Sequence, residues 1–302
     1  MSQTSSSSTQ TPTIDSNDNG PGPIGIFDSG YGGLTVLIEL QKKFPNQKFL
    51  YLGDNARAPY GTRSFDTIYQ YTLEAVKYLF SQNCHLVILA CNTASARALR
   101  TIQQIDLPNI APHRRVLGII RPMTEYLTDT VNNTVGILAT RGTVESESYI
   151  LELEKLAPKL TVIQKACPMW VPLVENREVE TPATDFFIDK YLSSMEISKN
   201  SIEKLVLACT HYPVLQLKIE DWLAKQNHSE VEVLRQGKVV ADKLADYLDR
   251  HPEIQSKIEQ INPASLNGSS QIEFQTTETT DLFNPVASHF LGYPIKATQV
   301  KL

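Results

Sequence analysis

Two cysteines stand at the same place in two similar segments, where an apolar run gives way to small polar residues. Cys91 lies in "HLVILACNTAS" and Cys209 lies in "EKLVLACTHYP". A thiolate is both a nucleophile and a base, and a helix N-terminus or a protonated histidine lowers the pKa of a cysteine. Both cysteines precede a predicted helix, and His211 follows Cys209 by two residues. These segments therefore indicate thiol chemistry.

The pairing of the thiols narrows that chemistry. A single activated cysteine indicates an acyl transferase or a hydrolase. Two in equivalent positions indicate that one removes a proton from a carbon centre while the other delivers a proton to its opposite face. The alternative is two packed thiols preserved through a duplication, since cysteine is often buried. Cys84 and Cys167 lack such polar neighbours, and we interpret them as core or loop residues.

The segment "FDSGYGG" supplies a carboxylate, Asp28, and a hydroxyl, Ser29, before glycines at a predicted helix start. Backbone N–H groups at such a start can hold an anion such as a substrate carboxylate. A dinucleotide-binding loop is not indicated, because Thr35 occupies the last glycine position of the G-x-G-x-x-G motif.

Three further residues have both a functional and an ordinary interpretation. Asp54 is either a functional carboxylate or a turn former. Glu175, in "CPMWVPLVEN", is either a buried general acid or a solvated loop residue. A lone His211 is typical of a structural histidine, but beside Cys209 it can tune the proton affinity of the thiol.

Apolar strands alternate with amphipathic helices from residue 24 onward, which is typical of three-layer α/β domains with largely parallel sheets. Ligands of such sheets bind outside the carboxyl ends of the strands. Five residues with polar or reactive side chains fall at predicted strand ends: Asp28, Asp54, Cys91, Thr140 and Cys209. We therefore expect an active site in a cleft at those ends.

An internal repeat predicts two such domains. The two cysteine segments lie 118 residues apart (209 minus 91), and "IGIFDSG" and "VGILATRG" lie 111 apart (136 minus 25). Two related domains facing each other explain both separations.

We expect a disordered tail over residues 1–23, because they are polar and rich in Ser, Thr and Pro. The polar stretch "NPASLNGSSQIEFQTTETTD" predicts a loop and an edge strand.

Composition excludes several classes of protein. A formal net charge of -5 argues against a general nucleic-acid surface. No apolar stretch approaches the roughly 20 residues of a membrane span, and the N-terminus lacks signal-peptide features, so we expect a cytoplasmic protein without membrane contact. Four cysteines without a C-x-x-C pair indicate neither a disulfide scaffold nor structural zinc, and we expect no metal.

Five blocks in this order resemble the glutamate racemases of bacterial cell-wall synthesis: "GIFDSGYGGLTVL", "YLGDNARAPYGTR", "ILACNTASA", "CPMWVPLVE" and "LVLACTHYPVL". The resemblance covers roughly residues 24 to 302. It implies cofactor-independent interconversion of L- and D-glutamate, in which Cys91 takes the α-proton from D-glutamate and Cys209 takes it from L-glutamate. It also implies that Asp28 and His211 assist these two cysteines.

The matched substrate contacts implied by the resemblance are Asp28, Ser29, Tyr60, Gly61, Asn92, Thr93, Thr210 and His211, with Asp54 and Glu175 as further residues lining the site. Family members have two α/β domains and usually form dimers. We accordingly expect a first domain over residues 24–118 and 228–302, a second over 119–227, and a homodimer. Some relatives with N-terminal extensions are activated by a cell-wall precursor, and residues 1–23 could serve that role or none.

The chain departs from the family pattern after the penultimate strand. Where an acid-Ser-Gly run is expected, the sequence reads Arg235, Gln236 and Gly237. Arg235 either changes the charge near the cleft or faces solvent.

Two alternatives to a glutamate racemase stay open at this point. One is a racemase of aspartate or another amino acid, because the thiol pair does not encode side-chain length. The other is a binding protein that has lost catalysis, against which the two intact cysteines argue.

Overall fold

The computed structural model describes residues 20–130, 133–261 and 271–302. The strands are β1 (Ile24–Asp28), β2 (Phe49–Gly53), β3 (Leu86–Leu89), β4 (Arg115–Gly118), β5 (Thr134–Ala139), β6 (Thr161–Ala166), β7 (Ile202–Ala208), β8 (Glu232–Leu234), β9 (Ile272–Thr276) and β10 (Ala297–Gln299). The helices up to β5 are α1 (Leu34–Lys43), α2 (Phe65–Ser81), α3 (Asn92–Arg97), α4 (Leu99–Thr101), α5 (Leu107–Ile110) and α6 (Ile120–Thr130).

The helices after β5 are α7 (Arg141–Glu145), α8 (Ser148–Leu156), α9 (Trp170–Glu175), α10 (Pro182–Ser193), α11 (Gln216–Lys225), α12 (Gln236–Arg250), α13 (Pro252–Gln255) and α14 (Thr280–Leu291). Short 3₁₀ turns cover Asn55–Arg57 and Tyr212–Leu215, and a π-helical turn covers Ile102–Asp106. Within the described residues, no helix is both long and apolar enough to cross a membrane.

The strands form two parallel sheets with the same internal order. The first sheet runs β10-β9-β2-β1-β3-β4, and the second runs β6-β5-β7-β8. The series β2-β1-β3-β4 of the first sheet matches β6-β5-β7-β8 of the second, so the two cysteines follow equivalent strands, β3 and β7. The predicted α/β fold with parallel sheets is confirmed.

The central strands of each sheet are buried on both faces, which explains why they read as apolar runs. In β1, Ile24 and Ile26 pack on one face, whereas Phe27 packs on the other. In β5, Ile137 and Leu138 also pack on opposite faces. Burial of one such side chain contributes about 1.5–3 kcal/mol, so these central strands provide a rigid support for the residues at their ends.

The chain crosses between the sheets twice. It leaves the first sheet after β4 and returns through α12, which packs against α1 through Val240, Ala241, Leu244 and Leu248 at helical spacing. We refer to the described parts of residues 20–118 and 235–302 as the first lobe, and to those of 119–234 as the second lobe. β8 is hydrogen-bonded to β7, so the second sheet extends past residue 227, where we expected the second domain to end.

Two other expectations differ from the structure. Residues 1–19 of the predicted tail lie outside the described residues, but Gly22 is buried and its N–H donates to Lys257 O over 3.0 Å. The ordered chain thus begins before residue 24. β9 is not an edge strand as predicted, because it pairs with both β2 and β10.

Candidate active site

Cys91 lies directly after β3 and caps the N-terminus of α3. Its Sγ accepts a hydrogen bond from the Ala94 N–H over 3.5 Å and lies 3.4 Å from Ser29 Oγ. The side chain is almost fully buried, with 6% of its surface exposed. Burial, and next the negative charge of Asp28, raise the pKa of Cys91 to about 12. Cys91 is therefore a protonated thiol at neutral pH.

Cys209 occupies the equivalent place after β7 and contacts a histidine. Its Sγ lies 3.9 Å from His211 Nδ1, and His211 Nε2 lies 3.0 Å from Glu175 Oε1. Burial lowers the pKa of His211, but hydrogen bonds to Cys209 and Glu175, together with their negative charge, raise it to about 10. An imidazolium at neutral pH stabilises negative charge on the neighbouring sulfur.

Both cysteines line one small cavity of about 80 Å³ between the lobes. The predicted residues that line it from the first lobe are Ser29, Tyr60, Gly61, Cys91, Asn92 and Thr93. Those that line it from the second lobe are Glu175, Cys209, Thr210 and His211. The cavity therefore has one thiol on the wall contributed by each lobe.

Asp28 lies behind the cavity wall and links the lobes. It is fully buried; its Oδ1 accepts from the Gly30 N–H over 2.8 Å, and its Oδ2 accepts from Thr210 Oγ1 over 3.2 Å. Burial raises the pKa of Asp28, although the nearby His211 and these hydrogen bonds lower it. Asp28 thus orients the Thr210 hydroxyl and influences Cys91 through its charge.

Asp54 also lies outside the cavity, where its carboxylate holds a tyrosine that does line it. Its Oδ2 accepts hydrogen bonds from Tyr60 OH and, over 2.7 Å, from Arg57 Nε. Its Oδ1 accepts from Thr277 Oγ1 over 2.8 Å. Of the two sequence interpretations, the structure thus places the Asp54 carboxylate in a side-chain network beside the cavity, not only in a turn.

Sequence reasoning did not place several cavity residues. Thr140 Oγ1 lies 2.9 Å from Thr93 Oγ1 and joins the lobes, and Arg141 follows it at the cavity wall. The sequence contains a signal for this residue, because the alignment of "IGIFDSG" with "VGILATRG" places Thr140 at the position of Ser29. Within the described parts of the chain, no cluster of three or more His, Cys, Asp and Glu side chains is arranged to hold a metal ion.

The close approach of the lobes requires a glycine at position 32. A Cβ there would lie 2.3 Å from Thr210 Oγ1 and 2.6 Å from His211 Nδ1, both on the second lobe. We expect Gly32→Ala to push the lobes apart and to lower the free energy of unfolding by about 1–3 kcal/mol. Denaturant titration measures that loss. Of the four buried thiols, Cys91 and Cys209 should also react faster with a thiol reagent, because they lie between the lobes. Unchanged stability together with unchanged thiol reactivity would contradict this expectation.

The chain is similar to several known proteins over most of its length. The family model described as Asp/Glu/Hydantoin racemase matches residues 36–243. The glutamate racemase of Oceanobacillus iheyensis is 34% identical over 285 residues, which cover 92% of this chain and 96% of that relative. The structure of glutamate racemase isoform RacE1 from Bacillus anthracis has a TM-score of 0.80 at 30% identity and covers 93% of this chain and 98% of its own. The glutamate racemase of Francisella tularensis, solved in complex with D-glutamate, has a TM-score of 0.78 at 29% identity. The match covers 94% of this chain and 98% of that chain.

Proposed function

We propose that this chain, which belongs to the aspartate/glutamate/hydantoin racemase family, interconverts L- and D-glutamate with Cys91 and Cys209 as its two bases. The observation that carries the proposal is the placement of one buried thiol on each wall of a single interlobe cavity. The identity of the substrate is supported by the similarity to glutamate racemases over nearly the whole chain.

The reaction needs no external proton donor within one turnover. In the L-to-D direction, the Cys209 thiolate removes the α-proton of L-glutamate, and the electron pair of that C–H bond remains on the α-carbon. The Cys91 thiol then donates its proton to the opposite face of that carbon, which gives D-glutamate and a Cys91 thiolate. The D-to-L direction is the reverse, in which Cys91 is the base and Cys209 is the acid.

The surroundings of the two thiols differ. The raised pKa of Cys91, about 12, makes it a donor at neutral pH. The pKa of His211, about 10, makes its ring a cation beside Cys209. This asymmetry prepares the site to remove a proton on the Cys209 side.

The carbanion beside an ionised carboxylate is a high-energy species, so fixed hydrogen-bond donors must stabilise its developing charge. We assign this role, and substrate binding, to the polar groups of Ser29, Tyr60, Gly61, Thr93, Thr210 and His211 around the cavity, and we assign substrate binding alone to Asn92. Asp28 supports the site from behind by orienting Thr210, and Glu175 does so by holding His211.

Incubation with L-glutamate and, separately, with L-aspartate in deuterated water tests this function. We expect loss of the circular dichroism signal of L-glutamate, with one deuterium at the α-carbon by mass spectrometry, in protein to which no cofactor is added. L-Aspartate should change at least about 100-fold more slowly, because it places its second carboxylate one methylene short of the groups that bind it. Racemisation of aspartate but not glutamate would overturn the substrate assignment.

Four further proposals rest on the sequence analysis alone. We propose that the protein forms a homodimer, that it works in the cytoplasm and that its D-glutamate serves peptidoglycan synthesis. We also propose that a cell-wall precursor activates it. Racemisation rates measured with and without such a precursor test the last proposal, and sedimentation of the purified protein tests the first.

A further inference from the structure

Asn92, Tyr149 and Gln236 form a closed ring of hydrogen bonds beside the cavity. Tyr149 OH donates to Asn92 Oδ1 over 3.0 Å, Asn92 Nδ2 donates to Gln236 Oε1 over 2.6 Å, and Gln236 Nε2 donates to Tyr149 OH over 2.8 Å. All three side chains are buried. Each bond in such a ring polarises the next, and in a buried ring each broken bond leaves a polar atom without water to replace it.

The ring fixes the orientation of both amides. Gln236 Nε2 also donates to Ile119 O over 3.2 Å, so a reversed Gln236 amide would set its oxygen against that carbonyl and its nitrogen against Asn92 Nδ2. Asn92 Nδ2 carries two hydrogens, and Gln236 accepts one of them. The second of these hydrogens is a donor on a residue that lines the cavity.

The ring also joins the two places where the chain crosses between the lobes. Ile119 lies on the outward crossing, between β4 and α6, and Gln236 begins α12 on the return crossing. Tyr149 comes from α8 of the second lobe, and Asn92 follows Cys91 on the first. The ring therefore connects both crossings directly to a residue adjacent to one of the two thiols.

We propose that Gln236 is a positioning residue that, through the ring with Tyr149, aims the amide of Asn92 at a carboxylate of the bound amino acid. The inference rests on the proposed function and deepens it. It also accounts for the departure at residues 235–237, because a serine in place of Gln236 has a single polar atom and cannot bridge Asn92, Tyr149 and Ile119 together. Arg235, by contrast, is exposed and donates to Gln216 outside the ring.

The test removes the ring without changing the volume of its members. Gln236→Met keeps the length of the side chain, and Tyr149→Phe removes only the hydroxyl. We expect each to raise the KM for glutamate about tenfold, the effect of one lost hydrogen bond, while kcat stays within about threefold, because a carboxylate is held equally in the substrate and the transition state. The double variant should raise KM no more than the larger single change, since the ring acts as a unit. Arg235→Ala is the matched control and should leave KM and kcat unchanged.

Several outcomes would overturn the inference. One is a folded Gln236→Met protein whose KM equals that of the wild type. Another is a double variant in which the effects of the two changes on KM multiply. A third is a fall in kcat with an unchanged KM in either single variant. If Gln236→Met does not fold, Tyr149→Phe carries the same test. Calorimetric binding of glutamate separates this inference from the proposed function. If the wild-type protein binds glutamate without racemising it, the proposed reaction is wrong. Even then, about tenfold weaker binding of glutamate by Gln236→Met supports the role of Gln236 in positioning Asn92.

Discussion

We expect alanine in place of Cys91 or Cys209 to lower the rate of glutamate racemisation at least about 10³-fold. Inversion needs a base on one face of the α-carbon and an acid on the other, and the two thiols lie on walls contributed by different lobes. A remaining thiol on one wall cannot take over the opposite face, because β3 and β7 hold the two cysteines rigidly. Circular dichroism of each enantiomer measures the loss.

Isotope exchange shows which thiol serves which enantiomer. In deuterated water, the Cys91→Ala protein retains Cys209, so it should exchange the α-proton of L-glutamate without inversion. The Cys209→Ala protein should do the same with D-glutamate only. Exchange of both enantiomers by either variant, or full racemisation by one of them, contradicts the assignment of two bases.

Cys84 provides the matched control for these variants. It is as deeply buried as the two proposed bases, but it packs beneath β1 near Gly25 and away from the cavity. Cys84→Ala should lower the free energy of unfolding by about 1–2 kcal/mol through the lost packing and leave the racemisation rate unchanged. A comparable loss of activity in Cys84→Ala would mean that the effect of the other two variants is structural.

The arrangement of strands could be predicted from the sequence because its signal is local. Residues 24–27 and 135–139 read as short apolar runs next to polar residues, a pattern that is typical of strands buried on both faces. The three residues of β8 are too few to show a period, and their strand conformation depends on hydrogen bonds to β7. A strand of this kind has no signature until its partner is known, and β8 lies beyond the boundary that we expected at residue 227.

The two thiols of the site could be predicted from their position at strand ends, but the hydrogen bonds around them could not. Asn92 and Gln236 are 144 residues apart, and neither has a neighbour in sequence that indicates the other. Asp28 was expected to contact the substrate, whereas its oxygens are bonded to Gly30 and Thr210 behind the cavity wall. Strand ends fix which residues gather at a site, and side-chain geometry fixes which of them face the ligand.

We expect the ion pair between His211 and Glu175 to set the alkaline limit of activity. The pKa of His211 is about 10 because its contacts with Cys209 and Glu175 outweigh the effect of burial, which lowers it. Below this pH the ring is a cation that stabilises negative charge on Cys209, and above it the ring is neutral. The rate with L-glutamate therefore falls as pH rises through about 10. His211→Asn removes the cation, so we expect a loss of about 10²–10³-fold near neutral pH and no further fall from this group in alkali.

Glu175→Gln separates the charge of this pair from its shape, since glutamine fills the same space without the carboxylate. Removal of a negative charge 3.0 Å from His211 Nε2 lowers the pKa of His211, so the alkaline fall should move to lower pH by about one to two units. Activity near neutral pH should decrease less than in His211→Asn, because the ring remains. The substrate ammonium also loses its proton in alkali, but it does so equally for every variant, so profiles of kcat/KM against pH for the three proteins isolate the contribution of His211. An alkaline fall at the wild-type pH in Glu175→Gln would assign that limit to another group and leave Glu175 with a role in packing alone.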